Sequence, residues 1–296
     1  MDDALKQHLR ELLGTPLKSC KALSGGDISS AYLLETATDR FFVKLHSGKQ
    51  SLEMFRAEKE GLEAIARTGH IKTPAVYHCL PLGSTCLLLM EYIPSKNPSP
   101  AEMRRFGQAL AAMHRTPLID FGWENDNFIG SLPQGNTAHP RWSSFYVRER
   151  LLPQLRMAVH RGLMGPKEIP GGPKMEGVLH GLCGPVQPAL LHGDLWAGNY
   201  LVSPEGLPCL IDPAVYRGHS EVDLAMSRLF GGFSPEFYQG YDSVLPPVDG
   251  QGERRDLYQL YYLLVHLNLF GKAYYTGVKQ LLERYFGKQA TGRQRS

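Results

Sequence analysis

A chain of 296 residues, 43% hydrophobic and 21% charged, has a globular balance and length enough for two cores. Its net charge of +3 is too small to point to nucleic acid, no apolar run reaches a membrane span, and the start of the chain lacks an apolar signal core. Neither nucleic acid nor a membrane is therefore expected as a partner, and the expected location is the cytoplasm. The five cysteines, Cys20, Cys79, Cys86, Cys183 and Cys209, form no C-x-x-C pair and read as reduced thiols, not as a zinc site.

Met1 to Leu13 reads as a short amphipathic helix with Leu5, Leu9, Leu12 and Leu13 on one face. Leu17 to Leu23 and Ala31 to Glu35 read as strands around Ser24-Gly25-Gly26-Asp27-Ile28-Ser29-Ser30. Strand, glycine turn, strand suits a plain hairpin, or a lid whose backbone N–H groups approach phosphate because glycine has no side chain in the way. No G-x-x-x-x-G-K-[ST] occurs, so this is not a Walker loop. Arg40 to Leu45 is a third strand, apolar except for Lys44, which either guards a strand face or reaches nucleotide phosphates. Ser51 to Thr68 is helical, with Leu52, Phe55, Leu62 and Ile65 as its apolar stripe. Glu58 is the acid expected to pair with Lys44; Glu53, Glu60 and Glu63 read as solvated.

Ala75 to Leu80 and Thr85 to Ile93 are two further strands around Pro81-Leu82-Gly83-Ser84. The second runs into Pro94, Pro98 and Pro100, and this shift sets the expected boundary between a first lobe, residues 1–93, and a second, residues 94–296. Backbone groups of Glu91, Tyr92 and Ile93 would form a hinge for adenine, a reading equally compatible with a buried strand end. Beyond it, Ala101 to His114 reads as a helix. Phe121 to Trp142 is a long loop whose Trp123, Phe128, His139 and Trp142 suggest ordered packing over a substrate cleft. Ser143 to Leu163 is helical and carries Arg148 and Arg150; Gly165 to Pro173 is a loop. Glu221 to Leu229 and Glu253 to Phe270 are helices, the second apolar nearly all round and hence buried, with His266 a satisfied core histidine.

The richest stretch is His192-Gly193-Asp194-Leu195-Trp196-Ala197-Gly198-Asn199, after the apolar Ala189-Leu190-Leu191. A short strand, Leu207 to Ile211, then leads into Asp212-Pro213-Ala214. Asn199 stands five positions after Asp194, the interval of the catalytic loop H-R-D-L-x-x-x-N, and a metal-binding aspartate is expected soon after. Phosphoryl transfer needs a carboxylate near the attacking hydroxyl and hard oxygen ligands for magnesium. Asp194 suits the first role; Asn199 and Asp212 suit the second. Either fragment alone is an ordinary turn sequence, but both together, in this order and spacing, point to ATP and magnesium. Asp223 is expected to hydrogen-bond the catalytic loop.

Taken together, Gly25-Gly26-Asp27-Ile28-Ser29, Phe42-Val43-Lys44, Ala57-Glu58, Trp142 with Phe145, the His192–Asn199 stretch, Ile211-Asp212-Pro213-Ala214, Glu221-Val222-Asp223-Leu224-Ala225-Met226 and Tyr258-Gln259-Leu260-Tyr261 resemble the fructosamine kinase (ketosamine kinase) family over the whole chain. The resemblance implies an α+β, bilobal protein-kinase-like fold: a first lobe of antiparallel sheet with one main helix, and a larger, mostly helical second lobe. It implies ATP-dependent phosphorylation of a sugar hydroxyl on a small-molecule ketoamine or a glycated protein, a deglycation repair activity. Asp194 would accept the proton, Asn199 and Asp212 would hold Mg2+, and Lys44, oriented by Glu58, would hold the phosphates beneath Gly25, Gly26 and Asp27. Trp196, His192 and Trp142 would meet the substrate; for Trp196 a loop anchor in the core is an equal reading. Some members carry a redox-sensitive cysteine in the glycine-rich loop where this chain has Asp27, so no disulfide switch is expected there.

Three other readings compete. A phosphotransferase for another alcohol would share the motif, though an aminoglycoside site should be acidic, and Arg141, Arg148, Arg150, Arg156 and Arg161 oppose that. A silent nucleotide-binding regulator would bind ATP without turnover. A metal-dependent hydrolase would use His192 and Asp194 as ligands but lacks a second histidine cluster.

Overall fold

A computed structural model describes residues 3–23 and 29–287; Gly25, Gly26 and Asp27 lie outside the described residues. The chain opens with α1 (Asp3–Leu13), β1 (Ser19–Leu23), β2 (Ser30–Glu35), β3 (Arg40–His46), α2 (Ser51–Arg67), β4 (Val76–Leu82) and β5 (Thr85–Glu91). The five strands form one sheet in the order β1-β2-β3-β5-β4, and every pairing in it is antiparallel. Alternation along the strands sends side chains to opposite faces. Leu87 and Leu89 join Leu34, Val43 and Leu45 under Leu9 of α1, while Leu88 and Met90 pack with Phe55 and Leu62 of α2. That two-sided burial explains why β5 is apolar without interruption from Cys86 to Met90. One helix was expected on this sheet; the leucine stripe of α1 supplies a second.

The chain continues through α3 (Pro100–His114), the hairpin β6 (Asn127–Ile129) and β7 (Leu132–Gln134), α4 (Trp142–Phe145), a π-helical turn Tyr146–Leu151, α5 (Leu152–His160) and α6 (Gly172–Cys183). Then come β8 (Ala189–Leu191), β9 (Tyr200–Val202), β10 (Pro208–Leu210), β11 (Tyr216–Gly218), α7 (Glu221–Leu229), α8 (Pro235–Asp242), α9 (Gln251–Phe270) and α10 (Tyr275–Phe286). The stretch expected as one long loop thus holds a hairpin, while the single helix expected from Ser143 forms, running without a gap from Trp142 to His160 with a π-helical middle. α6, α8 and α10 are additional.

Two compact units result. The first comprises Met1–Met113, Gly198–Ala214 and Ser234–Tyr241; the second comprises His114–Ala197, Val215–Phe233 and Asp242–Ser296. In the first, β9 pairs antiparallel with β10, and α8 lies tight on α3, where a Cβ at Gly107 would stand 1.9 Å from the Phe237 carbonyl oxygen. In the second, β8 pairs antiparallel with β11, and α9 packs against α5, α6, α7 and α10. Among the described residues no helix is long and apolar enough to cross a membrane. All five cysteines are free thiols.

Candidate active site

In the first unit the alternation of β3 decides where Lys44 points. Val43 and Leu45 face α1, so Lys44 faces α2, where Glu58 lies three residues beyond buried Phe55. The Lys44 ammonium donates to Glu58 Oε1 at 2.7 Å and also to Asp212 Oδ1. The expected pairing with Glu58 forms; the rival Glu53 is exposed and Glu63 pairs with Lys59 at 3.0 Å. Burial works against the charge on Lys44, yet Asp212 and Glu58 hold its pKa above the ordinary lysine range. Burial pushes Glu58 up, to about 7, against the pull of the same ammonium.

Asp212 stands two residues past the end of β10 and sits in the left-handed region at φ 54°, which an aspartate tolerates better than most residues. Its side chain is 42% exposed while Lys44 and Glu58 are largely covered. Ile211 N–H donates to the Asn199 carbonyl at 3.1 Å, and Asn199 Nδ2 makes a long 3.5 Å contact to the Asp212 carbonyl. A carboxylate and an amide oxygen are hard donors, and magnesium usually takes only one or two protein ligands, completing its shell with water and phosphate. The pair fits such an ion. Glu91 ends β5, and Tyr92 and Ile93 follow it: Glu91 N–H donates to the Ala75 carbonyl at 2.8 Å, its carboxylate accepts from Lys72 at 2.7 Å, and Arg40 stacks on Tyr92.

In the second unit the catalytic segment leaves β8 and is held by its backbone. His192 N–H and Gly193 N–H donate to the two oxygens of Asp223 at 2.7 and 2.9 Å. Asp223 is fully buried in α7, and His114 Nε2–H donates to it at 3.2 Å. Tyr262 of α9 donates its hydroxyl to the Gly193 carbonyl at 2.8 Å, and Gly193 adopts φ 82°, a conformation suited to glycine. Asp194 N–H donates to His192 Nδ1 at 3.2 Å. The expected bond from Asp223 is present; His114 and Tyr262 were not anticipated.

Two expected substrate residues occupy other positions. His192 is fully buried with Nδ1 taken by Asp194 N–H, so it orients the loop and does not face a ligand. Its complete burial also speaks against a metal-ligand role in the hydrolase reading. Trp142 is 4% exposed, its indole N–H donating 3.0 Å to Tyr258 Oη inside a cluster with Phe121, Phe145 and Tyr146. It is a core aromatic and lines no open cleft. Trp196, by contrast, is 41% exposed while its neighbour Leu195 is buried. Arg150 also departs from expectation: it is fully buried, 3.9 Å over the Tyr216 ring, with Nη2 donating 2.7 Å to Asn136. It therefore adds nothing to a basic surface, and Arg148 is paired with Glu176 at 2.8 Å.

A lysine between a helix glutamate and a loop aspartate, together with a backbone-anchored loop carrying a second aspartate, is the equipment of a phosphotransferase with an α+β protein-kinase-like fold. The chain belongs to the fructosamine kinase family, whose model matches residues 1–288. Membership makes it an ATP-dependent kinase acting on a sugar hydroxyl. A probable ketoamine kinase of Synechocystis is 39% identical, covering 95% of both chains. A chloroplastic protein-ribulosamine 3-kinase of Oryza sativa subsp. indica is 37% identical over 96% of this chain and 84% of its own. A crystal structure from Thermobifida fusca, assigned as a fructosamine-3-kinase, superposes with a TM-score of 0.82 at 34% identity, covering 96% of this chain and 98% of that one. The aminoglycoside phosphotransferase APH(4)-Ia shares the fold at 16% identity and TM-score 0.61, covering 94% and 98%.

Proposed function

We propose that the chain phosphorylates a hydroxyl of ketoamines, sugars joined through a ketose carbon to lysine or another amine, free or on proteins. It does so in the cytoplasm and needs no nucleic acid. The observation that carries this reading is the buried Lys44 ammonium shared by Glu58 and Asp212 within a member of the fructosamine kinase family. In this reading residues 1–93 carry the phosphate and hinge elements, and residues 94–296 carry the catalytic loop, metal ligands and substrate cleft.

Asp194 accepts the proton of the attacking hydroxyl as its oxygen bonds to the γ-phosphorus; the bond to the β-phosphate oxygen breaks, ADP leaves, and Asp194 later returns the proton to water. Lys44 holds the nucleotide phosphates, Glu58 keeps its ammonium in place, and Gly25, Gly26 and Asp27 also serve the nucleotide. Asn199 and Asp212 would hold magnesium, which when bound neutralises charge on the phosphate oxygens. At the hinge the Glu91 carbonyl and the Ile93 N–H suit the donor and acceptor edge of adenine, since Glu91 N–H is already taken. Exposed Trp196 offers an aromatic face to the sugar. Trp142 and His192 are dropped from direct contact on grounds of burial.

The test is ATP consumption with magnesium over fructoselysine, ribuloselysine, free sugars, choline and kanamycin. Turnover on the ketoamines above all others is the expected result. Preference for choline or kanamycin would move the substrate to another alcohol, and ATP binding without turnover on any of them would make the chain a regulator.

A further inference from the structure

The second unit carries an open aromatic patch that none of these assignments uses. Phe230 lies 4.5 Å from the His266 ring, His266 lies 5.4 Å from Phe270 and 5.2 Å from Tyr274, and Phe270 lies 6.3 Å from Tyr274. Phe230 is 38% and Phe270 53% exposed, although both are large apolar side chains. His266 Nδ1–H donates to the Tyr262 carbonyl at 2.8 Å, and burial lowers its pKa, so the central ring is neutral near pH 7. The rings thus present aromatic surface to solvent without a fixed positive charge among them.

Two helices locate this patch relative to the reacting loop. Along α9, Tyr262 reaches the Gly193 carbonyl, and His266 and Phe270 follow on the same face one and two turns later, about 6 and 12 Å on. Along α7, Asp223 holds the N–H groups of His192 and Gly193, and Phe230 follows seven residues later, about 10 Å on. Both helices therefore contact the catalytic loop, α7 near its start and α9 past its middle, and finish at the same patch. In a ketoamine the amine nitrogen stands about 4–8 Å from the reacting hydroxyl, according to which carbon bears it, and its carbon substituent extends further. At neutral pH that nitrogen is a secondary ammonium, which aromatic faces attract.

We infer that Phe230, His266, Phe270 and Tyr274 form the subsite for the cationic amine half of the substrate, setting the preference for ketoamines over free ketoses. This rests on the ketoamine reading above. The ammonium lies against the ring faces, and the lysyl methylenes cover the apolar edges of Phe230 and Phe270.

The experiment compares the native protein with Phe270→Ala, Phe270→Leu and Phe270→Tyr, each checked for an unchanged Tm. Fructoselysine is assayed as substrate and free fructose as competitive inhibitor. Phe270→Ala is expected to lower kcat/KM for fructoselysine about three- to thirty-fold, the range of a cation–π contact, through KM and not kcat. Phe270→Leu, which keeps apolar area but no ring, stays low; Phe270→Tyr restores; the inhibition constant of fructose does not move. An active native protein whose Phe270→Ala variant keeps full kcat/KM, or loses fructose and fructoselysine binding equally, overturns the subsite alone. A native protein inactive on every ketoamine overturns the reading and the subsite together.

Discussion

Lys44 and Asp223 are both buried charged groups, and the two units hold them by opposite means. Lys44 is balanced by two carboxylates, one of them on the half-exposed Asp212, so its partners are exchangeable when a polyanion arrives. Asp223 has no exposure; its oxygens accept two backbone N–H groups and the His114 ring, and nothing in the reaction needs to replace them. The first arrangement is built to rebind. The second is built to fix a backbone. The contrast separates residues whose loss should cost turnover from residues whose loss should cost the fold.

The sharpest break is at Asp223. Asp223→Ala would leave two buried N–H groups and the His114 ring without an acceptor, costing about 3–5 kcal/mol. Urea unfolding should show it, and an unchanged midpoint would mean the loop is held elsewhere. Lys44→Met should behave the other way: turnover falls about 10²–10³-fold, the scale for losing one preorganised charge contact, while the folded state persists. If Lys44→Met unfolds the chain instead, the contrast fails.

A third prediction concerns pH. Burial depresses the His219 pKa to about 4 from its ordinary 6.5; its Nδ1 accepts from Tyr258 Oη at 2.6 Å. The unfolded chain takes up a proton as pH falls through 6.5, whereas the folded chain does not until about 4. Its contribution is therefore complete above pH 6.5 and is lost between there and 4, on the order of 3 kcal/mol. His219→Asn, which keeps an acceptor for Tyr258, should flatten that part of the stability profile; an unaltered profile would assign the slope to other groups. The smallest effect is expected at Trp142. Trp142→Phe gives up its hydrogen bond to Tyr258, about 1 kcal/mol, and leaves KM for the ketoamine unchanged. A raised KM would return Trp142 to the substrate.

Much of this was legible because the chemistry is local. Asp194, Asn199 and Asp212 stand on turns between short apolar strands, and Lys44 interrupts an apolar strand, so their residue types mark them. Asp223 could be connected to the loop in advance. His114 and Tyr262 could not, since a histidine ending a helix and a tyrosine in an apolar helix carry no local sign of a partner many residues away. Trp142 misled because an aromatic-rich loop looks the same whether its rings face a cleft or each other. Arg150 misled for the same reason: cation–π contacts with Phe145 and Tyr216 cannot be read from charge counts. The glycines of α6 and α8 hid two helices, because Gly172, Gly177, Gly181 and Gly240 read locally as turns. α10 does carry a local sign: Val278, Leu282 and Phe286 recur every four residues on its buried face.

The most direct measurement is single-turnover phosphorylation of fructoselysine by Asp194→Asn beside the native protein, with ATP affinity and Tm recorded for both. The account predicts a rate lowered about 10²–10⁴-fold at unchanged ATP affinity and unchanged Tm, since the carboxylate acts only as the proton acceptor. Phosphorylation at the native rate by Asp194→Asn would contradict it.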